Sequence, residues 1–171
     1  MKLPDLNDLE MAGVHGWKGD VHALMTAAAA VKFHYHTADL KSVGNKSEML
    51  AALAKGLALP EHFGNNWDAL ADSIEDEQWL GRSGCVITLS HTAAFRKAHG
   101  LDWTTLEDIF AEASDYWRER HKPFWVFVSC AHSLAARLPG SRAKRPAQAS
   151  AVSLEAGAPR SGDATGANRR S

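Results

Sequence analysis

The sequence predicts an α/β fold, a small three-stranded parallel sheet with helices packed on it, and three observations carry that expectation. Three short runs rich in apolar, β-branched and aromatic residues, at 33–40, 84–89 and 124–129, have the composition of strands. Between them, apolar residues recur at helical spacing. Asn, Gly, Pro or Asp, residues that turn or cap a chain, mark the boundaries. Strands separated by helices imply right-handed crossovers, and so parallel pairing.

Residues 1–19 are weakly patterned, apart from an extra short strand expected at 14–17 between glycines. Asp20 can cap a helix carrying Val21, Leu24, Met25 and the Ala-rich run to Val31, after which 33–40 reads as the first main strand. Asn45, Ser47 and Glu48 supply helix-start chemistry, and Leu50, Leu53 and Leu57 give a helix ending near Leu57, ahead of Pro60. Gly64, Asn65 and Asn66 provide the next turn and N-cap. Trp67, Leu70, Ala71 and Ile74 follow at i, i+3, i+4 and i+7, the buried stripe of a second helix. Residues 84–89 are almost continuously apolar, as in a strand covered on both faces. After a short helical piece around 93–98, Thr104 or Thr105 is expected to cap a longer helix through Leu106, Ile109, Phe110, Ala113 and Trp117, which Lys122 and Pro123 stop. Residues 124–129 form the third strand. Beyond Pro139 the chain turns to Ala, Ser, Gly, Pro and Arg without an aromatic residue, and cannot bury enough apolar area to offset its ordering entropy. The organisation expected is an N-terminal extension with one helix over 1–32, a principal domain over 33–138 and a disordered basic tail over 139–171.

The chain has 171 residues, 45% of them hydrophobic, enough for one domain with a real core. Its net charge of −1 is a cancellation. Residues 1–138 hold 13 Lys plus Arg against 18 Asp plus Glu, whereas 139–171 hold 6 against 2. An acidic domain argues against direct nucleic-acid binding, because phosphates need a basic surface. Cys85 and Cys130 each sit in an apolar run, which suggests reduced core thiols rather than a disulfide framework. With no basic-then-apolar leader and no apolar stretch long enough for a bilayer, the sequence reads as soluble, cytoplasmic and not membrane-bound.

The most informative segment is 59–77. No Lys or Arg occurs between Lys55 and Arg82, while Glu61, Asp68, Asp72, Glu75, Asp76 and Glu77 are all acidic. At about 100° per residue, Asp68, Asp72, Glu75 and Asp76 would share one ridge of the second helix, opposite its apolar stripe. Like charges at i, i+4 cost about 0.2–0.5 kcal/mol per pair, and the helix dipole opposes acids near the C-terminal end. A solvated acidic surface is the bland reading of such a run. Against it stand the lack of relieving cations and the neighbouring His62, Phe63, Asn65, Asn66 and Trp67, which suit a contact surface for a cationic partner.

The residues Leu59, Pro60, Glu61, Phe63, Gly64, Asn66, Asp68, Ala69, Leu70 and Asp72, within the stretch 47–72, resemble the barstar family, intracellular inhibitors of the ribonuclease barnase. The resemblance implies a three-stranded parallel sheet with packed helices. It also implies that the second helix and the loop before it enter a nuclease active site, with carboxylates in the places of substrate phosphates. The mechanism is physically sound, because Arg and Lys that bind phosphodiester oxygens can donate the same charge-assisted hydrogen bonds to a carboxylate. By resemblance Asp72 is the principal plug and Asp68 a second contact; from the charge and residue types around them, His62, Phe63, Asn65, Asn66, Glu75 and Asp76 are expected to complete the partner-binding surface. Asp68 is equally read as a helix cap acting from the third position behind Asn65. His62 stands where the family has a tyrosine and Ala71 where it has a tryptophan, while Glu75, Asp76 and Glu77 replace small or aromatic residues. These departures imply a target other than barnase itself.

The function expected is therefore a monomeric inhibitor or immunity protein that blocks a basic ribonuclease, secreted or a toxin, without catalysis or cofactor. The alternative is a binding module of the same fold with a basic regulatory partner. A hydrolase using Asp68 and Asp72 is remote, since exposed carboxylates four apart lack the desolvation that splits an acid from a base. His34 and His36 share one face of a strand and could begin a metal site, but no further ligand motif supports them. Cys85 has no activating base nearby in sequence, and core packing explains it better.

Overall fold

In the computed structural model, residues 2–129 are described. The expectations for Cys130, for the domain to 138 and for the tail 139–171 lie outside the described residues. The sheet has four strands, β1 (Val14–Trp17), β2 (His34–Asp39), β3 (Cys85–Ser90) and β4 (Phe124–Ser129), in the order β1-β4-β3-β2 with every pairing parallel. The three expected main strands are present, and the extra one at 14–17 forms the edge beside β4.

The helices are α1 (Val21–Ala30), α2 (Lys46–Gly56), α3 (Trp67–Ile74), α4 (Glu77–Leu80), α5 (Ala93–Ala98) and α6 (Gly100–Glu119). The strand order explains how they are layered. The chain crosses from β1 past two strands to β2, then returns through β3 to β4 in the opposite direction. Right-handed crossovers therefore put α1 on one face of the sheet and the later helices on the other. Leu24 and Ala28 of α1 pack with Val86, Trp125 and Phe127 on the first face. The second face joins Ile87, Leu89, Phe124, Val126 and Val128 to the buried residues of α2, α3 and α6. Residues of β3 and β4 alternate between the two clusters, which is why both strands read as continuous apolar runs.

Local chemistry sets the helix ends, with two departures from expectation. Asn45 caps α2 by accepting from Glu48 N at 2.9 Å, and Glu48 Oε2 accepts from Gly44 N at 2.7 Å. The helix closes at Gly56, where a Cβ would lie 2.4 Å from Thr37 O, so only glycine lets α2 lie this close to β2. The long helix begins at Gly100, with His99 at the N-cap position, and not at Thr104 or Thr105. Those hydroxyls bond back to Gly100 O and Leu101 O within the helix, an alternative to capping that threonine has when its own carbonyl neighbours are helical. The earlier start places Trp103 in the core. The second departure, the break between α3 and α4, bears on the acidic segment.

The N-terminal extension is part of the core. Trp125 Nε1 donates to Leu6 O at 2.8 Å, and Val126 N to Gly13 O at 2.9 Å. Arg118 of α6 donates from Nε to Leu9 O at 3.0 Å and from Nη2 to Ala12 O at 2.7 Å, while Nη1 bonds Asp115. Removing this fork in Arg118→Ala leaves two loop carbonyls without their donors, and a loss of about 2–3 kcal/mol is expected. Urea midpoints would read it, and Arg118→Lys should recover only part, because one ammonium cannot reproduce the planar fork.

Candidate functional site

The acidic segment begins where α2 ends. Residues 57–66 leave Leu57, bring Phe63 partly into the core, and keep Glu61 and His62 exposed. Phe63 N bonds Pro60 O at 2.9 Å in a tight turn. Asn65 adopts φ 50°, a left-handed conformation that asparagine tolerates better than most residues. Its Nδ2 donates to Ser47 Oγ at 2.9 Å and ties the loop to the first turn of α2.

Asn66 starts α3. Its Oδ1 accepts from Ala69 N at 2.8 Å, and its Nδ2 donates to Gly64 O at 3.2 Å. Leu70 and Ile74 are fully buried, with Trp67 and Ala71 half-buried beside them, as the spacing predicts. Trp117 of α6 donates its indole N–H to Ile74 O at 2.9 Å and satisfies a carbonyl at the helix end. One face of α3 is thus fixed by packing and both ends by hydrogen bonds. Asp68 and Asp72, one turn apart, remain exposed on the other face. Among the described residues no hydrogen bond or ion pair engages either carboxylate.

The continuous ridge of four carboxylates does not form. α3 ends at Ile74 with Glu75 as its C-cap, and Asp76 opens α4 as an N-cap, its Oδ1 accepting from Gln78 N at 2.6 Å and Trp79 N at 3.3 Å. The helix dipole that disfavours acids at a C-terminus favours them at an N-terminus, so breaking the helix turns a penalty into a cap. Asp76 therefore lies on a turn beyond the helix that carries Asp68 and Asp72. The expected capping role of Asp68 also shifts. Because the N-cap is Asn66 and not Asn65, Ala69 occupies the third position and Asp68 the second. Glu77 makes an exposed pair with Lys122 at 3.9 Å.

Tertiary contacts add a neighbour that the linear charge pattern does not reveal. Lys46, in the first turn of α2, places Nζ 5.0 Å from the centroid of Trp67. The signal available in sequence was the Asn45 cap, which fixes where α2 begins, but nothing in spacing joins residue 46 to residue 67. His34 and His36 do share one face of β2, with ring centroids 6.4 Å apart, and among the described residues no group of three or more His, Cys, Asp or Glu is placed to hold a metal ion. Cys85 is buried, which pushes its thiol pKa up and leaves it a packing residue. Among the described residues no helix is long and apolar enough to cross a membrane.

A model of the family described as Barstar (barnase inhibitor) matches residues 33–129. The chain belongs to the barstar family. No curated protein matches it. The matched region runs from the residue before β2 to the end of β4, so β1, α1 and the loop before them lie outside it. The family is one of nuclease inhibitors and not of catalysts, and the barstar match embraces the whole of the loop and helix that present Asp68 and Asp72.

Stability and exposure separate cleanly on α3. Asn66→Ala should cost about 1 kcal/mol by removing the cap. Asp72→Asn should be neutral or stabilise by about 0.2–0.5 kcal/mol, since it relieves a like-charge pair and breaks no bond. Chemical denaturation of both variants checks the contrast.

Proposed function

We propose that this barstar-family protein inhibits a basic ribonuclease by inserting α3 and the loop before it into the nuclease's phosphate-binding cleft. The observation that supports the reading most is the pairing of two exposed, unengaged carboxylates, Asp68 and Asp72, on a helix whose other face and ends are locked. A protein gains nothing in its own stability from such a pair. A cleft lined by Arg and Lys gains charge-assisted hydrogen bonds from it, with little ordering cost because the helix is already rigid.

Asp72, in the middle of the helix, is the plug, and Asp68 a second contact at the N-terminal turn. His62, Phe63, Asn65 and Asn66 form the loop side of the contact, and Glu75 and Asp76 the far side. His62 and Ala71 leave the rim less aromatic than the family pattern, so charge carries more of the recognition. The target is a basic ribonuclease other than barnase, a secreted enzyme or a toxin, against which the producing cell is protected by a cytoplasmic, monomeric inhibitor.

The test is titration of basic ribonucleases from the producing cell, with barnase as a comparison, against the full chain and its variants. Wild type should abolish RNA cleavage at equimolar ratio. Asp72→Ala should lose about 3–5 kcal/mol of binding, since it strands buried cations. Association should slow steeply with added salt, because charges separated by more than about 10 Å are screened at 0.1 M. A partner that binds through Asp72 and cleaves no RNA would sink the inhibitor reading and leave a module for a basic regulatory protein. Unchanged affinity in Asp68→Ala and Asp72→Ala would remove the interface assignment altogether.

A further inference from the structure

A histidine pair on β2 lies against α4, the short helix that follows the acidic segment. Trp79 of α4 stacks on His36 of β2, with centroids 4.9 Å apart and planes inclined by 18°. The same indole donates Nε1 to Leu57 O at 2.7 Å, the carbonyl from which the site loop departs, and its ring lies 6.4 Å from Phe124. His36 Nε2 is buried with no hydrogen-bond partner. His34, two residues before it on the same face, has its ring 6.4 Å from that of His36 and lies against Gly81, where a Cβ would approach His34 Nε2 to 2.8 Å. Two histidines thus face α4 and its following turn, one exposed and one half-buried.

We propose that His34, His36 and Trp79 form a pH-sensitive latch, which holds α4 and the root of the 57–66 loop on the sheet while His36 is neutral and releases them as His36 becomes charged. A charged His36 would put a second N–H where no acceptor lies and a positive charge beside His34. It would gain attraction to the Trp79 face. That gain is outweighed, for burial first and the charge of His34 second hold the His36 pKa below its ordinary value.

Other charges surround the pair without compensating it. From α4, Glu77 is exposed and shared with Lys122, whose Nζ also bonds Gly81 O at 3.2 Å. Asp76 is engaged with the α4 backbone, and from β3 Cys85 is a buried thiol raised far above neutrality. Lys55, in the last turn of α2, is a further cation on the helix that packs against β2. The sign follows. With the closed-state pKa lowered, the latch is fully effective above the ordinary histidine value and weakens as pH falls through it, because only the open state takes up the proton.

The consequence for partner binding rests on the reading of α3 given above: acidification should loosen the loop and weaken inhibition. The test of the latch itself needs no partner, so the two fail separately. Amide exchange of the full chain is measured at about pH 8 and about pH 5 and divided by intrinsic rates. Wild type should lose roughly tenfold or more protection over 57–62 and 76–82 at the lower pH, while β3 and β4 keep theirs. His36→Phe, which keeps a stacking ring, should lack that loss. His34→Asn, at an exposed position, should raise the His36 pKa in a ring-proton titration by nuclear magnetic resonance. Equal acid loss in wild type and His36→Phe would overturn the latch. So would loss spread evenly into β4, or a His36 that titrates at or above the ordinary value.

Discussion

Cys85, Ile87 and Leu89 point to one side of the sheet while Val86 points to the other, and β4 divides in the same way, with Phe124, Val126 and Val128 opposed to Trp125 and Phe127. All of these side chains are buried, so each face needs a cover. At roughly 25 cal/mol per Å² of apolar surface removed from water, leaving either face wet would remove much of the stability of so small a domain. The rest of the architecture answers to this constraint. The helices within the family match cover one face, and α1 with the loop carrying Leu6 and Ala12 covers the other. The extension is therefore as much a part of the folding unit as the strands it shields.

Indole nitrogens fasten these layers together. Trp79 bonds the carbonyl of Leu57 at the end of α2, Trp117 that of Ile74 at the end of α3, and Trp125 that of Leu6 in the N-terminal loop. Each supplies apolar area to the core and one donor to a carbonyl that helix or sheet pairing leaves open. Two of the three bracket the acidic segment, one before the loop and one after the helix. That bracketing is what lets α3 be both short and rigid. An isolated eight-residue helix would be marginal in water, so its shape comes from Leu70, Ile74 and these end contacts.

Rigidity on the buried side frees the exposed side from any structural duty. Asp68 and Asp72 enter no bond within the described residues, whereas Asp76 caps α4 with its carboxylate and Glu77 forms an exposed pair with Lys122. A run of acids that looks uniform in sequence is thus divided in space between α3, which carries Asp68 and Asp72, and the turn that opens α4. Asp68 and Asp72 both lie within the region matched by the barstar family.

The sequence by itself determined the fold class, the three main strands, the buried stripe of α3 and the family, because these depend on residue order within a window of one element: alternation, helical spacing, caps and a contiguous motif. It also placed Asp68 and Asp72 on the exposed face of one helix, since charge and periodicity are both local. Tertiary structure decided what depends on residues far apart in the chain. The break at Glu75 follows from a competition between continuing one helix and starting another whose Trp79 can reach Leu57 O and His36, a choice invisible in spacing. The early start of α6 follows from Trp103 finding a place in the core, which outweighed the capping preference of Thr104 and Thr105. Lys46 over Trp67, Ser47 beside Asn65, and the stacking of His36 likewise join segments separated by a whole helix or more. Local propensity is worth tenths of a kcal/mol per residue and burial of a large side chain is worth about 1.5–3 kcal/mol, so where the two disagreed, packing set the outcome.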